Sequence, residues 1–323
     1  MSDDLLRGLF AFDATLGAWA GPRSPNTLIL LLNRLSLGPV SLPRGGPAAV
    51  ATAMAKALVA EGVAIRTDAR VTRIDTADHC ATGVTLDTGE TLIAPLIVSA
   101  IGPRTTFRSL VGPRPLDTGF HTAAGQIRAR GAAAKLHLAL TGAPDFRGAD
   151  LRTRMVIAPS VNAVENAFNP GKYGDVPHDP VMEIVIPSAH EHGHAPEGHH
   201  VLSAIVQFAP HAPANLDAAR AAMLENTLAT LETHAPGIRT LIAHAEMLMP
   251  SDIEARFGLD GGNWHGAELS VEQMLFLRPL MQAAQYATPV PGLWLAGAGS
   301  HPGGWITGTP GWNAAGAILK GAA

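Results

Sequence analysis

The segment spanning residues 292–320 constrains the fold more than any other part of the chain, because six glycines fall between residues 297 and 311. A short apolar run, Leu293 to Ala296, precedes these glycines and predicts a buried strand. Thr309 and Pro310 predict the start of a helix, because proline suits a first helical position where its missing N–H has no partner anyway. A glycine turn before a helix N-terminus brings N–H groups and partial positive charge close to a ligand. The segment is therefore predicted to hold an anionic or polarisable cofactor.

This segment does not form a complete nucleotide-binding motif. Gly297-Ala298-Gly299 begins like a Gly-x-Gly-x-x-Gly turn, but Pro302 occupies the sixth position. A second strand and an acidic ribose partner would be needed about twenty residues further on, and the sequence has neither. We therefore expect the segment to touch a cofactor whose main binding loop lies elsewhere.

Several other motifs accompany the glycine segment. Gly45-Gly46-Pro-Ala-Ala-Val opens a predicted helix, Ile97-Val-Ser-Ala-Ile-Gly-Pro follows further along, and Phe257-Gly-Leu-Asp-Gly-Gly-Asn-Trp-His-Gly and Phe276-Leu-Arg-Pro precede the C-terminal segment. In order and spacing these motifs resemble the phytoene-desaturase-like FAD oxidoreductases. Within that family the similarity is greatest to the group called pyridine nucleotide-disulfide oxidoreductase domain-containing protein 2. The resemblance extends over nearly the whole chain.

Family members begin with a βαβ unit whose Gly-x-Gly-x-x-Gly turn holds the FAD pyrophosphate. This sequence starts instead with polar and then helix-like residues, and no such turn occurs in it. We therefore expect the chain to lack the N-terminal FAD-binding unit, which is either lost or supplied by a separate polypeptide. FAD binding by this chain alone is not expected.

The resemblance implies a set of cofactor contacts. The backbone of the glycine turn would lie near the ribityl and pyrophosphate, and the helix that starts at Thr309 would direct N–H groups at the flavin pyrimidine edge. The implied cofactor-binding residues are Val71, Ser99, Gly102, Gly297, Ala298, Gly299, His301, Gly303, Gly304, Gly308, Thr309, Pro310, Gly311 and Asn313. For Val71, Ser99 and Gly102 taken singly, a place in a plain core strand is an almost equal alternative.

No catalytic side chain follows directly from the sequence, and His265, His301 and Arg278 are the candidates. A lone histidine is more often a structural hydrogen-bonding group than an acid or base, and Arg278 could equally be an ion-pair partner. Trp264, Trp305 and Trp312 either line an apolar cavity or belong to the core.

No metal site is predicted. The stretch from His190 to His200 is rich in histidine, but it also has the glycine and proline content of an exposed loop.

Composition excludes several other classes of protein. A net charge of −4 gives no electrostatic case for nucleic-acid binding. The single cysteine, Cys80, excludes an intrachain disulfide and suits a reducing cytoplasm. The longest apolar run, Thr27 to Leu32, is far shorter than the roughly 20 residues that a membrane span needs. We expect a cytoplasmic protein without a transmembrane segment, and peripheral membrane contact stays open.

The predicted fold class is α/β (α+β overall), an incomplete FAD-binding Rossmann-like domain with an inserted substrate domain of antiparallel sheet and helices, as in the amine oxidase and phytoene desaturase superfamily. Residues 1–45 are assigned to the helical part of the substrate domain, 46–112 to the FAD-domain remainder, 113–290 to the substrate domain and 291–323 to the return into the FAD domain. Strand-like runs include Ala64–Arg66, and the alternation from Lys135 to Leu140 predicts a strand with one covered face.

The leading functional hypothesis is part of a phytoene dehydrogenase-like, FAD-dependent oxidoreductase that transfers hydride on a small apolar substrate of polyene or isoprenoid type. A second enzymatic alternative is flavin-dependent, non-redox double-bond isomerisation. A different class of function is a truncated, non-catalytic fragment that acts as an interaction module. The sequence has no Gly-x-Ser-x-Gly elbow and no Walker loop, so hydrolase and phosphoryl-transfer functions lack support. His190 to His194 matches His-Glu-x-x-His letter for letter, but Gly193, Pro196 and Gly198 give this stretch the composition of a loop, whereas a zinc-protease site needs the motif on a helix.

Overall fold

The computed structural model describes residues 3–25, 27–36, 38, 42–191, 193–304 and 306–321. The helices are α1 (Asp4–Thr15), α2 (Thr27–Ser36), α3 (Gly46–Ala60), α4 (Pro103–Thr105, continued as a π-helix over Thr106–Val111), α5 (Thr118–Gly125), α6 (Val161–Gly171), α7 (Pro187–His190), α8 (Leu216–His234), α9 (Ile238–Leu241), α10 (Pro250–Phe257) and α11 (Thr309–Gly321). The strands are β1 (Val71–Ala77), β2 (Cys80–Leu86), β3 (Thr91–Ile93), β4 (Ile97–Ser99), β5 (Ala133–Leu140), β6 (Met155–Ile157), β7 (Met182–Val185), β8 (His200–Gln207), β9 (Ile242–Leu248) and β10 (Leu293–Leu295).

The largest sheet is antiparallel and has the strand order β6-β7-β8-β5-β9. Successive side chains of a strand point to opposite faces, so alternation along β5 places Leu136, Leu138 and Leu140 together on one buried face. These leucines belong to a core that includes residues of α8. Lys135 and His137 therefore point to the opposite face of the sheet.

Helices α1 and α6 pack together beside this sheet. Phe12 of α1 and Phe168 of α6 are buried in the same apolar cluster as Phe208, which follows β8. The start of α1 is fixed by Asp3, whose carboxylate accepts hydrogen bonds from the N–H groups of Leu5 and Leu6. This arrangement places the N-terminal helices against the large sheet.

Two smaller sheets form a separate layer. Strands β1, β2 and β3 form an antiparallel meander, whereas β4 and β10 pair in parallel, with Leu295 opposite Ser99. Their common core also contains Phe107 and Phe120, whose rings meet edge to face with centroids 4.8 Å apart. Because β4 and β10 are parallel, their carboxyl ends lie side by side.

The mixed helix and sheet architecture confirms the predicted fold class. The observed β5 contains the predicted strand from Lys135 to Leu140, β10 lies within the predicted Leu293 to Ala296, and α11 starts at Thr309 as expected. The strand expected at Ala64–Arg66 is wrong, because this stretch is exposed and has no strand partner in the part of the chain that the structure describes. Among the described helices, none has both the length and the apolar content to cross a bilayer.

Candidate functional site

The glycine turn begins where β4 and β10 end side by side. The Ala296 N–H donates to the Ser99 carbonyl at 2.8 Å, which keeps the two chains together beyond the strands. A Cβ on Gly297 would lie 2.1 Å from the Ala100 oxygen, and one on Gly299 would lie 2.3 Å from Cδ of Pro103. No side chain fits at either position, so these glycines are required by close approach of two backbones.

A third segment, residues 260–266, closes on the same turn. Gly266 has φ +72°, and a Cβ there would lie 2.5 Å from the Gly299 nitrogen. A Cβ on Gly304 would lie 2.6 Å from the His265 Cα. Asp260 accepts a hydrogen bond from the Thr105 N–H at 3.2 Å, and its carboxylate would also meet a Cβ on Gly102. The predicted residues Ser99, Gly102, Gly297, Ala298, Gly299 and Gly304 are thus brought together.

Arg278 lies behind the turn and is fully buried. Its guanidinium donates to the carbonyl oxygens of Gln273 at 2.9 Å, Ala298 at 3.0 Å and His265 at 2.5 Å. Its Nε has no hydrogen-bond partner within the described part of the chain, and a Cβ on Gly303 would lie 3.6 Å from that atom. Burial lowers the pKa of Arg278 to about 10, so the group stays charged at neutral pH. The buried guanidinium therefore holds the glycine turn to residues 265–273 through hydrogen bonds to backbone carbonyls.

His265 connects the turn to the rest of the protein. Its Nδ1 donates to the Gly304 carbonyl, and a Cβ on Gly17 would lie 3.1 Å from its Nε2. Complete burial, together with the nearby Arg278 and Arg34 charges, lowers the pKa of His265 to about 3, although the bond to Gly304 acts in the opposite direction. The ring is neutral and enclosed, which fits a structural tether.

His301 lies at the far side of the turn. Its carbonyl accepts from the Tyr286 hydroxyl at 3.1 Å, and that hydroxyl accepts from the Asn313 amide at 2.9 Å. Its Nδ1 is buried and lacks a hydrogen-bond partner among the described residues. Asn313 thus holds the turn against α11 through Tyr286.

The N-terminus of α11 is open. Among the residues that the structure describes, nothing lies within 4 Å of a Cβ added to Gly308 or to Gly311. The Thr309 N–H has only a long bond of 3.3 Å to the Thr307 hydroxyl, and Pro310 has no N–H to offer. First-turn N–H groups have no acceptor within their own helix. The Trp312 N–H already donates to the Gly308 carbonyl at 3.0 Å, so the amides of Thr309 and Gly311 are the ones left at the uncovered start of the helix.

A cavity of about 630 Å³ adjoins the turn. One wall is the exposed face of the large sheet, and the opposite wall comes from α10 and the glycine turn. The lining residues are Lys135, His137, Ile205, Leu248, Ile253, Phe257, Leu259, Trp264, Ala298, Gly304 and Ile306. Most of these side chains are apolar, so the cavity suits an apolar ligand.

A second cavity of about 620 Å³, lined partly by α6 and α8, has no predicted site residue among its lining residues.

Lys135 is the cation of this cavity. Burial lowers the pKa of Lys135, and the negative charge of Glu183 partly offsets that effect. The pKa of His137 is lowered too, first by burial and then by the Lys135 charge. From the sequence alone, this stretch is predicted only as an alternating strand. The signal that could have indicated a site is a pair of basic residues on one face of an otherwise apolar strand.

Other predicted residues lie apart from the turn or outside the described residues. Val71 lies in the three-stranded sheet, where it pairs with Leu86. Trp264 lines the cavity, Trp312 is 81% exposed on α11, and Trp305 lies outside the described residues. His192 of the histidine-rich loop also lies outside them. Among the residues that are described, no three acidic, histidine or cysteine side chains are grouped as metal ligands would be.

Comparison with known proteins gives consistent matches. The family model described as "Flavin containing amine oxidoreductase" matches residues 10–319. The mouse "Pyridine nucleotide-disulfide oxidoreductase domain-containing protein 2" is 29% identical over 338 residues, which cover 98% of this chain and 58% of the mouse protein. The lycopene-forming phytoene desaturase of a Paracoccus strain is 28% identical over 331 residues, covering 96% of this chain and 61% of that protein.

Among solved structures, an oxidoreductase from Methanosarcina mazei superposes with a TM-score of 0.63 and 16% identity, over 99% of this chain and 68% of that one. That likeness shows the fold alone. The sequence matches confirm the predicted resemblance to phytoene-desaturase-like FAD oxidoreductases. The chain spans a little over half the length of the mouse relative.

Proposed function

Because the chain belongs to the flavin containing amine oxidoreductase family, we propose that its glycine turn and the N-terminus of α11 hold the FAD of an oxidoreductase. The observation that carries the proposal is the open helix N-terminus, with Gly308 and Gly311 uncovered, beside the apolar cavity. The substrate would be an apolar molecule of polyene or isoprenoid type, in keeping with the name of the phytoene desaturase relative.

The residues present fit a flavin. Gly308 and Gly311 leave room for a planar group to approach the backbone, and the N-terminal end of a helix favours negative charge. Arg278 adds a buried positive charge behind the same turn. Ser99, Gly102, Gly297, Ala298, Gly299, His301, Gly303, Gly304, Thr309, Pro310 and Asn313 would form or support this cradle. Val71 would contact a more distant part of the cofactor.

A bound flavin would supply hydride transfer chemistry. Formation of a double bond also releases a proton, and we assign no acceptor for it among the candidate residues. The chain's own contribution is then electrostatic and positional. The α11 N-terminus and Arg278 favour added negative charge on the cofactor. The apolar walls of the cavity keep water away from the substrate. We assign His265, His301 and Arg278 to support of the turn and propose no proton transfer for them.

We also propose that residues 46–112 and 291–323 form part of a cofactor domain, and that residues 1–45 and 113–290 form the substrate domain. In the working protein, further polypeptide carrying a Gly-x-Gly-x-x-Gly βαβ unit would cover β4 and α3. A parallel pair of strands is seldom stable with uncovered faces. Val98 on β4 is 43% exposed, and Met54 and Leu58 on α3 are 60% and 44% exposed.

The exposed thiol of Cys80 suits a reducing compartment such as the cytoplasm.

Two glycines of α11 provide a matched test of the cradle. Within the part of the chain that the structure describes, an added Cβ meets no atom within 4 Å at either Gly311 or Gly316. Gly311 lies in the first helical turn, whereas Gly316 lies in the middle of the helix. Both alanine variants should fold, and alanine should favour the helix by roughly 0.5–1 kcal/mol at the interior position. Only the alanine at position 311 would occupy space that the cofactor needs.

The measurement is FAD content after purification from the native cells, with any accompanying polypeptide retained. We expect the native chain and Gly316→Ala to retain FAD. Gly311→Ala should contain less FAD, with its thermal stability unchanged. A native preparation without flavin would contradict the proposal and favour a non-catalytic interaction module. Equal flavin retention by both variants would show that the cofactor does not use the start of α11.

A further inference from the structure

Lys135 occupies an unusual position for a charged group. It lies in the wall of a mostly apolar cavity, and within the described residues its ammonium makes no hydrogen bond or ion pair. An unpaired charge with reduced access to water is costly, which is why such groups usually have a partner. Among the described residues that line the cavity there is no aspartate or glutamate.

Glu183 is the acid whose charge acts on Lys135, but it is committed elsewhere. Its carboxylate forms ion pairs with Arg154 at 2.6 Å and with Arg34 at 3.4 Å. Asp13 pairs with the same two arginines, with Arg34 at 3.1 Å and with Arg154 at 2.5 Å. The two acids and the two arginines balance one another, so the positive charge of Lys135 is not neutralised by this cluster.

The other side chains that line the cavity are mostly apolar, so they favour an apolar ligand. Ile205, Leu248 and Ile253 give one apolar surface, and Trp264 faces the same space. Ile306 is 91% exposed and Phe257 is 59% exposed, so apolar side chains extend to the edge of the cavity. A long apolar chain can remain in contact with such walls from the interior to the outside.

From this placement we propose that the cavity binds an amphiphile made of an apolar chain and a carboxylate head, with Lys135 as the partner of the carboxylate. The inference rests on the proposed function only in taking this cavity to be the substrate site. A carboxylate gains a charge-assisted hydrogen bond at Lys135. A protonated amine with the same chain meets a positive group and has no acid to pair with. The proposal therefore separates this chain from enzymes that bind cationic amines.

The test uses three probes with one chain length: decanoate, decanol and decylamine. Their dissociation constants are measured at neutral pH below the concentration at which they aggregate, by calorimetry and from the change in the tryptophan fluorescence of the chain, which includes that of Trp264 in the cavity wall. We expect decanoate to bind at least tenfold more tightly than decanol, and decylamine to bind more weakly than both. Decylamine that equals or exceeds decanoate would overturn the proposal, as would a failure of all three to bind.

Substitutions then assign the preference to one residue. Lys135→Met keeps the side-chain length without charge, and we expect it to bind decanoate and decanol equally. Lys135→Arg should keep the preference. Lys320→Met removes an exposed lysine at the end of α11 and should leave all three constants unchanged. Retention of the tenfold preference by Lys135→Met would contradict the role of Lys135.

These measurements need no flavin. A chain that binds decanoate through Lys135 but never contains FAD would contradict the proposed function and leave this inference standing. A chain that contains FAD but does not discriminate among the three probes would contradict this inference and leave the proposed function standing.

Discussion

Replacing Arg278 with methionine tests the buried support beneath the glycine turn. The change removes a fully buried guanidinium that donates to the carbonyls of Gln273, Ala298 and His265. At about 1.5–2 kcal/mol for each of the three buried acceptors left without a donor, the loss is about 4.5–6 kcal/mol. Burial of the cation, seen in the fall of its pKa from 12.5 to about 10, costs roughly 3 kcal/mol that methionine recovers. The expected net destabilisation is about 1.5–3 kcal/mol.

The assay is urea unfolding followed by circular dichroism, with Arg256→Met as the matched control. Arg256 pairs with Glu246 at the surface, where its side chain is 56% exposed, so its loss should change the free energy of unfolding by about 0.5 kcal/mol or less. Arg278→Met as stable as the native chain would refute the view that this guanidinium supports the turn. Arg278→Lys should be intermediate, because an ammonium retains the charge but cannot reach all three carbonyls.

Two further predictions follow from burial and exposure. The pKa of His265 is about 3 in the folded chain and near 6.5 when unfolded, so the unfolded state binds the extra proton first and stability falls as pH drops from 6.5 towards 3. His265→Gln should lessen this slope by up to about 1.4 kcal/mol per pH unit in pH-dependent urea unfolding, whereas replacing the exposed His178 should not. Met54→Glu on α3 should leave the stability of this chain within about 0.5 kcal/mol but lower its flavin content, because it places a charge where further polypeptide would dock. Thr52→Glu, on the opposite side of α3 by helical periodicity, is its control, and equal flavin loss in both variants would contradict that docking surface.

The sequence predicted the local elements of the cofactor region well, because their signals are local. Pro310 after Thr309 marks the start of α11, and the apolar run after Gly292 marks β10. Glycine density also indicated close backbone approach, which the contacts of Gly297 and Gly299 bear out. The prediction at Ala64–Arg66 failed because a short apolar run becomes a strand only when a partner strand is available.

The chemistry of the site was harder to predict, because it depends on contacts between distant segments. Arg278 lies in a recognisable Phe-Leu-Arg-Pro motif, yet its acceptors are backbone carbonyls in three loops and not an acid visible in the sequence. His265 loses its basicity through burial against the turn, which no sequence pattern reports. Lys135 was assigned to an alternating strand, and only the position of α10 and the turn places it in a cavity.

The most direct test of the account is a crystal structure of the native assembly with its cofactor. We predict electron density for a flavin that lies against Gly308 and Gly311, with one face towards the cavity that contains Lys135. Density for the flavin at another site, or a start of α11 covered by protein side chains alone, would contradict it.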